Sequence, residues 1–345
     1  MLKFYPLNPG IDNNVRKFLS NNNRQSFSAS GGNIDALAPG NGYVYHVFTS
    51  PGSFIVSGDS KSMEILVVGG GGGGGNSGGG GGAGGVVHAP SHTVSAGTYP
   101  ITVGTGGDGA NSSIPNYGTS PRNGNPSSFG SLFIATGGGA GSSMDEVFPG
   151  PAGDSGPPFQ GHGQDGGSGG GAGRHYLNGT QPGGLAVNPN PNPGATEYGN
   201  PGGTANPGDG QNQINGGGGG AGSAGSPGPS NYGVGGNGYP FPAFGAPLFP
   251  GLPAPWVSEV GPTGLYGGGG GGGKGRPSQP TTPTPGGTGG GGDGGVGSAS
   301  YPPGYAGTPG VTNTGGGGGG GGSGPGQGAN GNPGGPGIVM VRYLA

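Results

Sequence analysis

Few side chains in this sequence have types suited to proton transfer or metal binding. They are His46, His88, His92, His162 and His175, with Asp165 just before one glycine tract and Asp293 inside another. None of the histidines forms a helical i, i+4 pair, and His88 and His92 flank a turn expected around Pro90. They read as surface or strand residues, and no metal is assigned. A glycine-rich calcium repeat needs an aspartate that recurs with the repeat, and neither aspartate starts such a series. Gly273-Lys274-Gly275 resembles the end of a phosphate-binding loop, but Gly275 stands where Ser or Thr must reach magnesium. Gly-x-Gly-x-x-Gly recurs only because glycine is so common, and it lacks the strand–turn–helix context that would make it a nucleotide site. No Ser/His/Asp triad can be assembled, because nothing in the sequence says which residues converge. The expectation is a protein that is not an enzyme and carries no cofactor. With no cysteine, neither a disulfide framework nor a thiolate metal site is available.

The elements around these residues are unusual. Glycine fills 104 of 345 positions, which suggests collagen until the pattern is read. Collagen needs glycine at every third position, whereas here it comes in unbroken blocks such as Gly267 to Gly273. Disorder is the next reading. Against it stand a charged fraction of only 7% and 13 Tyr, 12 Phe and one Trp, with several β-branched runs. A formal net charge of −3 argues against nucleic acid as the main partner. No run approaches the roughly 20 apolar residues that span a bilayer, so no membrane insertion is expected. The N-terminus lacks the apolar stretch of a signal peptide.

The organising stretch is Met63 to Val87, where an apolar strand runs straight into the tract Gly69 to Gly85. Strands are expected at 43–48, 53–56, 64–68, 98–103 and 131–136. The closing run Gly337 to Leu344 should pair with the strands at 43–68 and bring the two ends of the glycine region together. Further tracts lie at 137–141, 166–173, 216–222, 267–275, 286–297 and 315–322. The expected fold is mostly irregular and β. It combines a small β-sheet, made from both ends of the glycine-rich region, with packed polyglycine II-type helices and little or no α-helix. Residues 1–42 form an N-terminal attachment segment and 43–345 the glycine-rich domain.

Polyglycine II is a threefold helix rising about 3.1 Å per residue with no internal hydrogen bonds. Its N–H and C=O groups point outward, and rods without side chains can approach closely enough to bond to one another. Each bond contributes about 0.5–1.5 kcal/mol net, the right order to offset glycine's conformational entropy, roughly 0.5–1 kcal/mol per residue relative to alanine. Asn76, Ser77, Ala83, Ser168, Ala172, Lys274 and Asp293 should then sit on outer faces or at rod ends.

Two segments are candidates for contact with other molecules. Asn14 to Leu19 has the spacing of a short helix with Val15, Phe18 and Leu19 on one face. It reads either as a docking helix or as a packed N-terminal arm. Residues 232–266 hold Tyr232, Tyr239, Phe241, Phe244, Phe249, Trp256 and Tyr266 among many prolines. Rigid aromatics and prolines lose little entropy on binding, so a receptor contact or subunit interface is one reading. The plainer reading is a local core covering the side of the lattice. The Asn/Pro-rich loop Asn188 to Pro207 is a weaker candidate for the same role.

The run Phe48-Thr49-Ser50-Pro51-Gly52-Ser53-Phe54, then Glu64-Ile65-Leu66-Val67-Val68-Gly69-Gly70-Gly71, resembles the glycine-rich domains of phage structural and tail-fibre proteins. Gly337 to Tyr343 looks like the end of that domain. The architecture is also similar to phage tail-tip adhesins, in which packed polyglycine helices carry loops that read the host surface. The resemblance implies a virion protein whose partners are other virion proteins and a host surface glycan or protein, as a homo-oligomer such as a trimer or an assembled lattice. The alternative is a purely structural self-assembling subunit, a filament or capsid-decorating protein.

Overall fold

The computed structural model describes residues 26–111, 121–143, 161–174, 179–187, 194–206, 215–228, 233–275, 282–297, 305–324 and 327–345. The segment with Val15, Phe18 and Leu19 lies outside these residues, as does Tyr232. The strands are β1 (Ser28–Ser30), β2 (Ile34–Leu37), β3 (Tyr43–Phe48), β4 (Gly52–Ser57), β5 (Lys61–Val68), β6 (Val86–Val94), β7 (Gly97–Thr102), β8 (Ser127–Phe129), β9 (Phe133–Ala135) and β10 (Thr196–Tyr198). They are followed by β11 (Tyr239–Pro240), β12 (Leu265–Tyr266), β13 (Ser323–Gly324), β14 (Gln327–Gly328) and β15 (Ile338–Leu344). Helical elements among the described residues include α1 (Ala254–Val260) and two 3-10 turns.

Two sheets form a sandwich, one ordered β1-β4-β7-β8-β9 and the other β10-β6-β5-β15-β3-β2. The closing strand β15 lies between β5 and β3, antiparallel to both, with Ile338 opposite Val68 and Val339 opposite Phe48. Alternation along β5 explains why its apolar run is nearly continuous. Met63, Ile65 and Val67 face the other sheet, while Leu66 and Val68 face a second core on the far side. Residues 28–37, read from sequence as part of the N-terminal segment, supply the edge strands β1 and β2.

Pro90 does not make the expected turn. It lies within β6, where the pairing with β5 slips between Met63 and Ile65. A bulge tolerates a residue without an N–H, so the strand continues through it.

The glycine rods grow directly out of the strands. The register of Val68 opposite Val86 in β5–β6 continues as Gly69 donates to Gly85, Gly72 to Gly82 and Gly75 to Gly79, closing at Asn76-Ser77. The β5–β15 register likewise continues through Gly71 to Gly335 and Gly74 to Asn332. The β8–β9 pairing continues through Gly124 to Gly138, and β7–β8 through Asn125 to Thr105. Only the period changes, from two residues in the sheet to three in the rods. Glycine tracts carry no side chains to fix a register; the sandwich fixes it for them.

The rod 69–75 shows the lattice. Its N–H groups turn in rotation to three rods: Gly69, Gly72 and Gly75 to 79–85, Gly70 and Gly73 to 122–125, Gly71 and Gly74 to 332–335. Its carbonyls accept from three others, 107–110, 138–141 and 318–321. These six neighbours also bond to one another around the ring, for example Gly82 to Gly139, Gly81 to Gly318 and Gly334 to Gly107. The arrangement is hexagonal, with polyglycine II periodicity.

An interior rod with six neighbours has no outer face. Ala83, Ser168 and Ala172 are therefore fully buried, contrary to the outer positions expected for them. These three interior positions hold a methyl or hydroxymethyl group, and the Ser168 hydroxyl has no hydrogen-bond partner among the described residues. Asn76 and Ser77 do sit at a rod end and Asp293 is exposed. Lys274 also ends a rod but is buried, its Nζ donating to the Thr282 carbonyl at 2.8 Å. Burial lowers the pKa of this amine.

Candidate functional site

The aromatic segment is a lid on the sandwich. It leaves the rod ending at Gly238, covers the outer face of the β10–β2 sheet, and returns through β12 into the rod 267–275. Phe241, Phe244, Phe249, Trp256, Val260 and Tyr266 pack against Tyr45, Val47, Leu66, Val68, Val86, Ile338 and Met340. Proline spacing drives this arrangement. Pro240, Pro242, Pro247, Pro250, Pro253 and Pro255 face solvent while the rings between them turn inward. The Trp256 indole donates to the Asn313 carbonyl at 3.0 Å, tying the lid to a turn at the base of the lattice. The Tyr266 hydroxyl donates to the Phe244 carbonyl at 2.9 Å, and burial pushes its pKa well up.

Of the candidate aromatics described, Tyr239 alone is exposed, at 37%. Its ring lies 4.1 Å from that of Tyr198 on β10, a neighbour not singled out in the sequence. Burial and then Tyr239 raise the Tyr198 pKa. The other five rings are taken up by contacts within the chain. In the loop Asn188 to Pro207, the described part supplies β10 and the rod 199–206.

A polar network that the sequence did not signal borders the lid. Glu64 on β5 stands directly opposite Arg342 on β15. Arg342 Nε and Nη2 hold Glu64 Oε2 at 2.7 and 2.6 Å, and His88 Nε2 lies 2.9 Å from Oε1. The guanidinium stacks 4.2 Å from the Tyr43 ring centroid. Burial alone would raise the Glu64 pKa, but the hydrogen bonds and positive charge of His88 and Arg342 outweigh it and hold the carboxyl below its ordinary 4.5. A depressed carboxylate stabilises the fold above its unfolded pKa and loses that contribution as pH falls through the folded value. Glu64→Gln should therefore cost about 1–3 kcal/mol at pH 7, and the gap to wild type should close as the pH falls below the ordinary carboxylate range and through the lowered folded-state pKa. Urea melts over this range check the sign; a gap independent of pH would locate the effect elsewhere.

The remaining histidines are separated. His46 is buried in β3, its Nδ1 within 2.9 Å of the Gly31 carbonyl and 3.0 Å of Asp35, its Nε2 3.1 Å from the Tyr343 hydroxyl. Burial lowers its pKa despite the opposing pull of Gly31 and Asp35. His92 packs on the Phe133 ring at 5.0 Å, and His175 lies outside the described residues. Among the described residues no group of three His, Asp or Glu side chains is placed to hold a metal, and no helix is long and apolar enough to cross a membrane.

The lattice has two unlike ends. At the base, rods meet the sandwich, turn tightly, as at 221–223, 288–291 and 311–315, or lead into the lid and into the connection between Val187 and β10. At the far end, level with the Asn76-Ser77 turn, the rods lead into longer connections. Ala110 donates to Gly74, Gly321 to Gly75, Gly273 to Gly78, and Gly79 to Ser142. Asn215 Nδ2 reaches the Ser77 carbonyl at 2.9 Å. These bonds place the flanks of the connections 112–120, 144–160, 207–214 and 276–281 at this tip. Gly228 and Gly233 flank a further connection there, joined through Gly272 to Gly233. Ser26, where the described chain begins, leads into β1 near Ser57, at the opposite end of the molecule.

A family model for a glycine-rich domain matches residues 49–344. No curated protein gives a significant match.

Proposed function

The chain belongs to the glycine-rich domain family, and from that premise we propose that it is a non-enzymatic virion protein of the tail-fibre or adhesin type. Its N-terminal region attaches to other virion proteins, and the connections at the lattice tip contact a glycan or protein on the host surface. The observation that carries this reading is polarity. One end holds the sandwich, the tight turns, the lid folded back on the sheet and the connection after Val187, while most of the connections, varied in length and sequence, leave the other. The described chain begins at Ser26, leading into β1 at the end away from that tip. A hydrogen-bonded scaffold that uses only backbone leaves such connections free to change.

On this reading the contact surface is the tip rather than 232–266, where all the described candidate rings but Tyr239 are buried. The test is saturable binding of the purified protein to intact cells of candidate host bacteria. Replacing 112–120 and 144–160 with short Gly/Ser linkers should abolish binding while the melting temperature is retained. Binding that survives both replacements but is lost in Tyr239→Ala would return the site to the lid. Absence of binding to every host, with concentration-dependent self-association, would favour the structural-subunit alternative.

A further inference from the structure

The fully buried tracts 69–75, 78–85, 137–143, 166–173, 215–221, 267–275 and 315–322 contain no proline. The rods around them do, and four of their prolines are placed one way. Pro182, Pro201, Pro285 and Pro333 are exposed. Each turns its carbonyl inward to accept from a neighbouring rod: from Gly163 at 3.1 Å, and from Gly225, Gly235 and Gly310 at 3.0 Å. Each thus takes part in the lattice as an acceptor and offers no N–H in return. In a threefold rod the residue three positions on points the same way. At three of these four sites its N–H is also withheld from other backbones. Leu185 N donates to Asp165 Oδ1 at 2.6 Å and Thr288 N to Asn237 Oδ1 at 3.2 Å, while position 336 is again proline.

We infer that along these four rods the flank of the lattice is an interaction surface whose natural partner would be another polyglycine rod, from a second copy of this chain, and that these prolines close it there. A rod that presents free N–H groups is to this lattice what an unpaired edge strand is to a sheet. On these rods the lattice ends within one chain, and any assembly of copies runs through other surfaces. This inference does not depend on the proposed host contact.

The experiment compares the full chain with a Pro182→Ala, Pro201→Ala, Pro285→Ala, Pro333→Ala variant, which restores four N–H groups. Sedimentation velocity should give the mass of one chain for the wild type across the concentration range. The variant should self-associate with rising concentration, its weight-average mass at least doubling, with its thermal transition retained. Should the fourfold variant fail to fold, Pro201→Ala with Pro333→Ala carries the same test on two flanks. A folded variant that stays monomeric where the inference requires association would overturn it. So would wild-type protein whose self-association is unchanged by these substitutions.

Discussion

Gly318→Val is expected to abolish the cooperative thermal transition, or to lower its midpoint by roughly 10 °C or more. Gly318 lies in an interior rod, donating to the Gly72 carbonyl at 2.9 Å and accepting from Gly81 at 2.8 Å. A β-carbon there would come closer than 3.0 Å to backbone atoms of Asn332 and Pro333. Overpacking of ordinary cores costs about 1–3 kcal/mol because side chains shift aside. Here the obstacle is backbone, fixed by its own bonds to further rods, so the cost should exceed about 4 kcal/mol. Gly251→Val is the matched control. Gly251 is exposed, and a β-carbon there meets nothing within 4 Å; its melting temperature should stay within about 1–2 °C of wild type. Equal melting temperatures for the two variants would refute the lattice as the source of stability.

Trp256→Ala should cost about 3–5 kcal/mol, the usual range for a fully buried aromatic cut to a methyl. Trp256 has no exposed surface and packs between Phe249 and Tyr266, with ring centroids 6.1 and 6.3 Å away. The substitution also strips the Asn313 carbonyl of its indole donor, loosening the base turn that starts the rod at Gly315. Tyr239→Ala, at the exposed edge of the same lid, should cost about 1 kcal/mol or less. Chemical denaturation of both variants checks the ranking. A Trp256→Ala cost as small as that of Tyr239→Ala would mean that the lid is not part of the cooperative unit.

Much of the framework could be read from residue pattern. Apolar runs at 43–48 and 64–68 and the closing strand announce a sheet joining distant parts of the chain, because β-branched runs of that length need partners. The glycine blocks announce rods, because nothing but backbone bonding is available to them. What could not be read lies where a tract stops being pure. Segments such as 199–206 and 305–311 look like connectors, yet they are outer rods, their glycines facing in and their prolines facing out. The alternation has a period of three but too few repeats to stand out from composition. Strand β6 was hidden by Pro90, whose place in a bulge depends on β5 across the sheet. The lid carried a readable aromatic signal, but burial against Tyr45 and Met340 is a tertiary fact with no local mark. Glu64, His88 and Arg342 are scattered over nearly the whole sequence, and only the register brings them together.

The threefold winding of the rods has a consequence for how connections at the tip vary. Each residue added to a rod lengthens it by about 3.1 Å and turns the point of departure by roughly 120°. One inserted residue therefore aims a connection at a different neighbour, and three restore its heading one pitch farther out. The base, locked by the sandwich, acts as a fixed zero, and residue count modulo three acts as the dial. Insertions and deletions at rod ends become a way of steering. A lineage can redirect a surface loop in discrete compass steps without altering a single buried contact.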